Sequence, residues 1–257
     1  MTDSLTPPTG EDMVVHAPHP PLADYYEGEP QRREWVRGIF NSSARDYDRI
    51  ERMMALCTGS WYRRQALLRA GLAPGMRVVD VGVGTGLVSR EAAHIVGAPE
   101  LVTGVDPSPG MLEAAHVPAG VRLLEGRAES IPLPDACADF VSMGYALRHI
   151  GDLAAAFAEF RRVLKPGGIV CVLEITRPAT PLRLWLLKLY MRGVVPALSR
   201  FVARNADTPR LMRYYWDTIE SCVPPEKVLA TLEHVGLTRV ERHVEVGIFS
   251  EYRAVRG

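Results

Sequence analysis

Arg77-Val78-Val79-Asp80-Val81-Gly82-Val83-Gly84-Thr85-Gly86 is the stretch that decides the reading. A short apolar run ends in an acid and then breaks into alternating glycines. The residues that follow, Leu87 to Val96, set Leu87, Val88, Ala92, Ile95 and Val96 at helical spacing. Strand, glycine turn and helix make the opening unit of a nucleotide-binding α/β sheet. Glycines lack a Cβ, so backbone N–H groups can approach a ligand closely, and the helix N-terminus adds partial positive charge. A glycine triplet alone is equally what a plain turn shows. Spacing narrows the choice. A dinucleotide-binding oxidoreductase sets its third glycine three positions after the second. Here Gly86 comes two positions after Gly84 and Leu87 holds the place the oxidoreductase needs, which disfavours NAD.

Downstream, apolar and amphipathic segments alternate. Leu101 to Asp106 reads as a second strand ending in an acid, and Pro107-Ser108-Pro109-Gly110 leads into a short helix with Met111 and Leu112. Val121 to Glu125 is a third strand, followed by Gly126-Arg127-Ala128-Glu129, and Asp139 to Met143 is a fourth. Asp152 caps a helix running to Leu164; Lys165-Pro166-Gly167-Gly168 stops it and starts a fifth strand, Ile169 to Ile175. Thr238 to Val246 and Ile248 to Val255 close the chain as a hairpin joined at Gly247. Such alternation implies a mainly parallel sheet covered on both faces. Asp106, at a strand end, is placed to accept the hydroxyls of a ribose. In the Arg127-Ala128-Glu129 turn, a backbone amide and a carboxylate can read an adenine edge, although Glu129 can equally cap a loop.

The flanks differ. Residues 1–33, with Pro7, Pro8, Pro18, Pro20, Pro21 and Pro30, read as a flexible N-terminal arm that docks, if anywhere, at Tyr25 and Tyr26. Residues 34–72 read as a helical cap on the main domain of 34–257. Its first helix, Glu34 to Leu56, is interrupted at Asn41-Ser42-Ser43, which can serve as an N-cap; its second, Trp61 to Ala70, ends at Gly71. Residues 178–222 read as a helical lid insertion. Within it, 180–204 is lipophilic and carries Arg183, Lys188, Arg192, Arg200 and Arg204 with no acid. This segment can cover a pocket with one face and meet anionic lipid head groups with the other, or pack as a core helix or a homodimer interface.

Composition excludes several classes. The 257 residues are 47% apolar and 23% charged, enough for a sizeable core, and the formal net charge of zero gives no field to recruit nucleic acid. Cys57, Cys137, Cys171 and Cys222 match no zinc or redox spacing and read as reduced thiols of a cytoplasmic protein. No metal-binding motif is present. Met1 to Thr6 has an acid and no apolar core, so a signal peptide is not expected, and no apolar run is long enough to span a bilayer.

The glycine turn, the second-strand acid and the third-strand acidic turn together resemble class I S-adenosylmethionine-dependent methyltransferases. The resemblance implies a Rossmann-like, seven-stranded mixed sheet with an antiparallel terminal strand, and Arg162-Val163-Leu164-Lys165-Pro166-Gly167-Gly168 is a turn common in that class. A narrower likeness covers residues 36–240. Phe40-Asn41-Ser42-Ser43-Ala44-Arg45-Asp46-Tyr47-Asp48 resembles the F-x-x-x-A-x-x-Y-D entry of the ubiquinone/menaquinone biosynthesis C-methyltransferase family. Tyr145-Ala146-Leu147-Arg148-His149-Ile150 is similar to its F-G-L-R-N-V, Val172 to Pro178 to its L-E-F-S-x-P, and Thr218 to Pro224 to its S-I-x-x-F-P.

By that resemblance, S-adenosyl-L-methionine is the cofactor, held by Asp80, Gly82, Gly84, Thr85, Gly86, Asp106, Pro107, Met111, Arg127, Ala128, Glu129 and Gly144. Tyr47, Arg148 and His149 fall at the catalytic positions. Methylating an aromatic carbon needs a phenolate-like acceptor, for which Arg148 can stabilise the oxyanion while Tyr47 or a relayed water takes a proton. The implied acceptor is a quinol or another lipophilic phenol, and the implied place is the cytoplasm, peripheral to the inner membrane face. His149 stands where the family has Asn, and Tyr145 where it has Phe. His149 is therefore either a general base titrating near neutrality or a hydrogen-bonded loop histidine. Two other readings stay open: O- or N-methylation of a small secondary metabolite, and a partner protein that binds the cofactor without turnover.

Overall fold

The computed structural model describes residues 14–55, 58–197 and 208–257. One seven-stranded sheet organises them: β1 (Val78–Val81), β2 (Val102–Asp106), β3 (Arg122–Glu125), β4 (Ala138–Gly144), β5 (Leu164–Ile175), β6 (Leu237–Glu245) and β7 (Phe249–Arg256). Their spatial order is β3-β2-β1-β4-β5-β7-β6. The first five run parallel, with Val79 opposite Thr103 on one side and Val141 on the other. The closing hairpin enters at the far edge, and β7 lies antiparallel to β5 with Cys171 opposite Arg253. This is the Rossmann-like, mixed arrangement expected from the sequence. All four β1 residues are buried, as a central strand covered on both faces demands.

Eight described helices cover the sheet: α1 (Glu29–Met54), α2 (Gly59–Ala70), α3 (Leu87–Val96), α4 (Pro109–Glu113), α5 (Leu153–Val163), α6 (Pro181–Leu189), α7 (Thr208–Ser221) and α8 (Pro225–His234). On one face Leu153, Phe157 and Phe160 of α5 and Leu232 of α8 are fully buried against the strands. On the other, Ala66 and Leu67 of α2 meet Val88 and Ala92 of α3. Burying a side chain such as Phe157 is worth roughly 1.5–3 kcal/mol. A third apolar cluster draws Ile39 and Ile50 of α1 together with Met191, Leu211, Tyr214, Trp216 and Ile219. It packs α1, α7 and the segment after α6 into a roof.

The flanks correct several expectations. Residues 14–33 are not a loose arm. The Leu153 and Ala154 N–H groups donate to the carbonyls of His16 and Val15, and Val223 N–H donates to that of Pro18. Val15 is buried, and the proposed boundary at 33/34 falls inside α1. Residues 1–13 lie outside the described ones. Nor is α1 interrupted at Asn41. The Asn41 Oδ1 reaches away from its own helix to accept from Ser108 Oγ (2.6 Å) and Gly110 N (3.0 Å), and Ser42 Oγ donates back to Ile39 O. Asn41 is thus a tie between helices rather than a cap.

The lid segment also divides. The α6 helix ends at Leu189 and passes into a wider turn over Tyr190–Val194. Leu184, Leu187, Tyr190 and Met191 join the roof, while Leu182, Trp185, Leu186 and Leu189 stay exposed. Lys188 is held by Glu220, 2.7 Å away, and Arg200, Arg204 and Cys57 fall outside the described residues. Cys137, Cys171 and Cys222 are free thiols. Among the described residues no helix is long and apolar enough to cross a membrane.

Candidate active site

The β1–α3 turn forms as its glycines allow. Gly82, Gly84 and Gly86 take φ values of +69°, +54° and +88°, the left-handed region that side chains rarely enter. The Gly82 and Val83 N–H groups donate to Val105 O, stitching the turn to β2. From the end of β2 the Asp106 carboxylate accepts from Gly84 N (2.8 Å) and Ser108 N (2.9 Å). Burial pushes the Asp106 carboxyl up to about 6, against the pull of those two N–H bonds.

A cavity of about 1230 Å³ opens over this turn. Its lining brings together Gly82, Gly84, Asp106, Pro107, Met111, Arg127, Ala128, Glu129 and Gly144, all singled out from the sequence. A Cβ at Gly84 would meet nothing within 4 Å, so its backbone borders open space. The acid at the strand end and the Ala128–Glu129 turn stand where a nucleoside can be read from both ends. The residues fit S-adenosylmethionine. Asp80, Thr85 and Gly86 do not line this cavity. Asp80 is 1% exposed and accepts from Ser89 Oγ (2.7 Å) and Ser142 Oγ (2.8 Å), so it braces the turn from behind. Thr85 Oγ1 donates to Asp48, whose other oxygen accepts from Arg90 at 3.1 Å, which ties the turn to α1. Gly86 leads into α3, and a Cβ there would strike Val117.

A second cavity, about 570 Å³, lies beside the first and is walled mostly by apolar residues, among them Ile50, Met54, Leu187, Met191, Leu211, Met212 and Ile219. The two share Tyr47, Gly82, Gly84, Gly144 and Tyr145 as a common wall. Tyr145 sits in that wall with φ +59°, an uncommon conformation for a side chain of its size.

Arg148 lines the second cavity and is 2% exposed. It forms a buried ion pair with Glu174, and its Nε donates to Thr218 Oγ1 at 3.3 Å. Its carbonyl is clamped by His19 Nε2 and by Arg32 Nη2, each at 3.1 Å. The docked N-terminal segment therefore fixes the loop that presents Arg148. Tyr47 lines both cavities; burial raises its hydroxyl above the usual tyrosine range, so it stays protonated at neutral pH, which argues against its taking up the ring proton.

His149 corrects one expectation. Burial, together with the nearby Arg148, Arg32 and His19, pushes its imidazole well below the ordinary value, so it does not titrate near neutrality. It lines the first cavity, not the second, stacked 5.4 Å from Tyr214 and edge-on to Phe40 at 5.1 Å. Glu174, Tyr215, Asp48, Arg63 and Glu51 are further members of the site that sequence spacing did not reveal. Asp48 and Glu174 lay inside quoted motifs, but nothing in those motifs says what they touch. Among the described residues no cluster of His, Cys, Asp or Glu is grouped to hold a metal ion.

Fold and site together define a class I S-adenosylmethionine-dependent methyltransferase. A solved S-adenosylmethionine-dependent methyltransferase from Thermotoga maritima shares the fold with a TM-score of 0.60 at 22% identity, covering 86% of this chain and all of its own. Residues 28–256 match the ubiE/COQ5 methyltransferase family, and the chain belongs to it. It is 30% identical over 253 residues, 96% of each chain, to a demethylmenaquinone methyltransferase of Tropheryma whipplei. It is 29% identical over 218 residues to a ubiquinone/menaquinone biosynthesis C-methyltransferase of Shewanella woodyi, covering 82% of this chain and 86% of the relative.

Proposed function

We propose that the protein methylates a ring carbon of a lipophilic quinol. The observation that carries this reading is the common wall. A cavity that gathers the donor-binding residues meets a mostly apolar one lined by Arg148, along a shared wall of Tyr47, Gly82, Gly84, Gly144 and Tyr145. When bound, S-adenosylmethionine supplies a sulfonium methyl group, which passes to a carbon nucleophile as the sulfur takes back the bonding pair. The protein supplies the rest. Arg148 holds negative charge on the acceptor oxygen, which raises electron density at the ortho carbon. Tyr47 donates a hydrogen bond from the wall, and the apolar roof excludes water and orients the ring, which itself contributes much of the rate. The methylated carbon then gives its proton to a relayed water, and the C–H bonding pair returns to the ring to restore aromaticity.

Relatives named for quinone C-methylation support this reading over O- or N-methylation of a polar metabolite, as does the predominantly apolar surface of the second cavity. A cytoplasmic protein resting on the inner membrane face fits the exposed strip Leu182, Trp185, Leu186 and Leu189, beside the exposed Arg183 and Arg192. Leu187, Tyr190 and Met191 of the same segment line the acceptor cavity, which supports a mouth that opens toward lipid. The test compares a long-prenyl quinol in anionic vesicles with a short soluble analogue. A Leu182→Ser/Trp185→Ser variant is expected to raise KM for the vesicle-borne acceptor at least about 30-fold and leave the soluble analogue untouched, since two exposed apolar side chains at roughly 1 kcal/mol or more each give about 2 kcal/mol or more at an interface. Equal loss with both acceptors, or a dimer that dissociates in the variant, would contradict the membrane placement.

A further inference from the structure

We propose that Arg63, held by Glu51, is a second acceptor-binding cation that takes an oxygen on the far side of the ring from Arg148. This rests on the acceptor reading above and adds a residue to it. The pair comes from two helices of the cap, Glu51 near the end of α1 and Arg63 in α2, and both residues line the apolar cavity. Arg63 is 3% exposed, and one of its terminal nitrogens donates to Glu51. Its Nε is buried with no acceptor in the protein.

A guanidinium offers five donors in a fixed fork, and the bond to Glu51 engages one terminal nitrogen, so the fork has donors left for a ligand oxygen in the cavity that Arg63 lines. Arg63 borders the acceptor cavity and not the donor cavity. Its guanidinium carbon stands 5.8 Å from the centroid of the Tyr145 ring, in the wall where the cavities meet. Room for the pair is built into the chain. A Cβ at Gly59 would collide with the Glu51 carboxylate and stand 3.0 Å from Arg63 Nη1. Tyr47, Arg63 and Arg148 all line this one cavity. One buried cation suffices to stabilise one phenolate. A second, each with its own carboxylate, suits a ring with two oxygens and discriminates against a ring with one.

The rival is a purely structural pair that pins α1 to α2. Binding to the complex with S-adenosylhomocysteine separates the two, because no turnover is then required and ring reactivity drops out. The probes are a prenylated 1,4-dihydroxynaphthalene and the prenylated 1-naphthol that keeps only the hydroxyl ortho to the reacting carbon. The wild-type protein is expected to bind the diol about 10- to 100-fold more tightly, the range for a hydrogen bond to a charged group. Arg63→Gln is expected to erase that preference with S-adenosylhomocysteine affinity unchanged, and Arg63→Lys to keep part of it. Equal binding of both probes by the wild type, or a preference that survives in Arg63→Gln, overturns the proposal. Should Arg63→Gln fail to fold, the wild-type comparison and Arg63→Lys still decide. If neither probe binds, the quinol reading itself fails and takes this inference with it, an outcome distinct from equal binding of both.

Discussion

Arg148→Lys is expected to lower kcat by about 10²- to 10³-fold while the affinity for S-adenosylmethionine stays unchanged. That is the usual cost of losing one well-placed oxyanion donor. Lysine keeps the charge but loses the planar fork that lets Arg148 face Glu174, Thr218 and the cavity at once. A simple truncation would confuse two effects. Glu174 is 1% exposed, so removing its partner leaves a buried charge uncompensated and costs about 3–5 kcal/mol. The double variant Arg148→Met/Glu174→Gln removes both charges. It is expected to recover thermal stability relative to Arg148→Met alone and to recover no turnover. Stability by calorimetry and kcat by methyl transfer then report the two roles separately. If the double variant regained activity along with stability, Arg148 would be a structural residue only.

Gly82→Ala is expected to be nearly as damaging, through the donor side. At φ +69° an alanine is strained by about 1–2 kcal/mol, and its Cβ would stand 2.6 Å from that of Ala146. Ala146 lies two residues before Arg148, so relieving the clash moves either the glycine turn or the catalytic loop. Overpacking of this kind adds about 1–3 kcal/mol. Gly84→Ala is the matched control: its φ of +54° strains alanine similarly, but nothing lies within 4 Å of the new Cβ. Cofactor binding by calorimetry is expected to weaken at least tenfold more in Gly82→Ala than in Gly84→Ala. Equal losses would mean that strain alone, and not the contact with Ala146, limits the turn.

The sheet was legible because its signals are local. Each parallel strand announces itself by an apolar run and a turn, and the offset of Gly86 from Gly84 separates this nucleotide turn from the oxidoreductase kind. Asp106 at the end of β2 and Glu129 in the turn after β3 fall where chain topology puts them. What stayed hidden depends on distant pairings. Asp80 reads as a ligand-facing acid until Ser89 and Ser142 are seen closing over it. His149 reads as either a base or a hydrogen-bonded loop histidine until the buried stack with Tyr214 and the adjoining arginines are in view. The segment 14–33 has the composition of a loose tail, yet its His19 and Arg32 bind the carbonyl of Arg148. Partners of Arg63 and Arg148 lie 12 and 26 residues away and follow no helical or strand period.

The central claim is that a donor methyl and a ring carbon meet across the wall of Tyr47, Gly82, Gly84, Gly144 and Tyr145. Its most direct test is to incubate the protein with ¹³C-methyl S-adenosylmethionine and a reduced, prenylated 1,4-dihydroxynaphthalene, and to locate the label in the product by NMR. The account predicts an aryl methyl signal coupled to ring carbons. Label recovered as a methoxy or N-methyl group would contradict it.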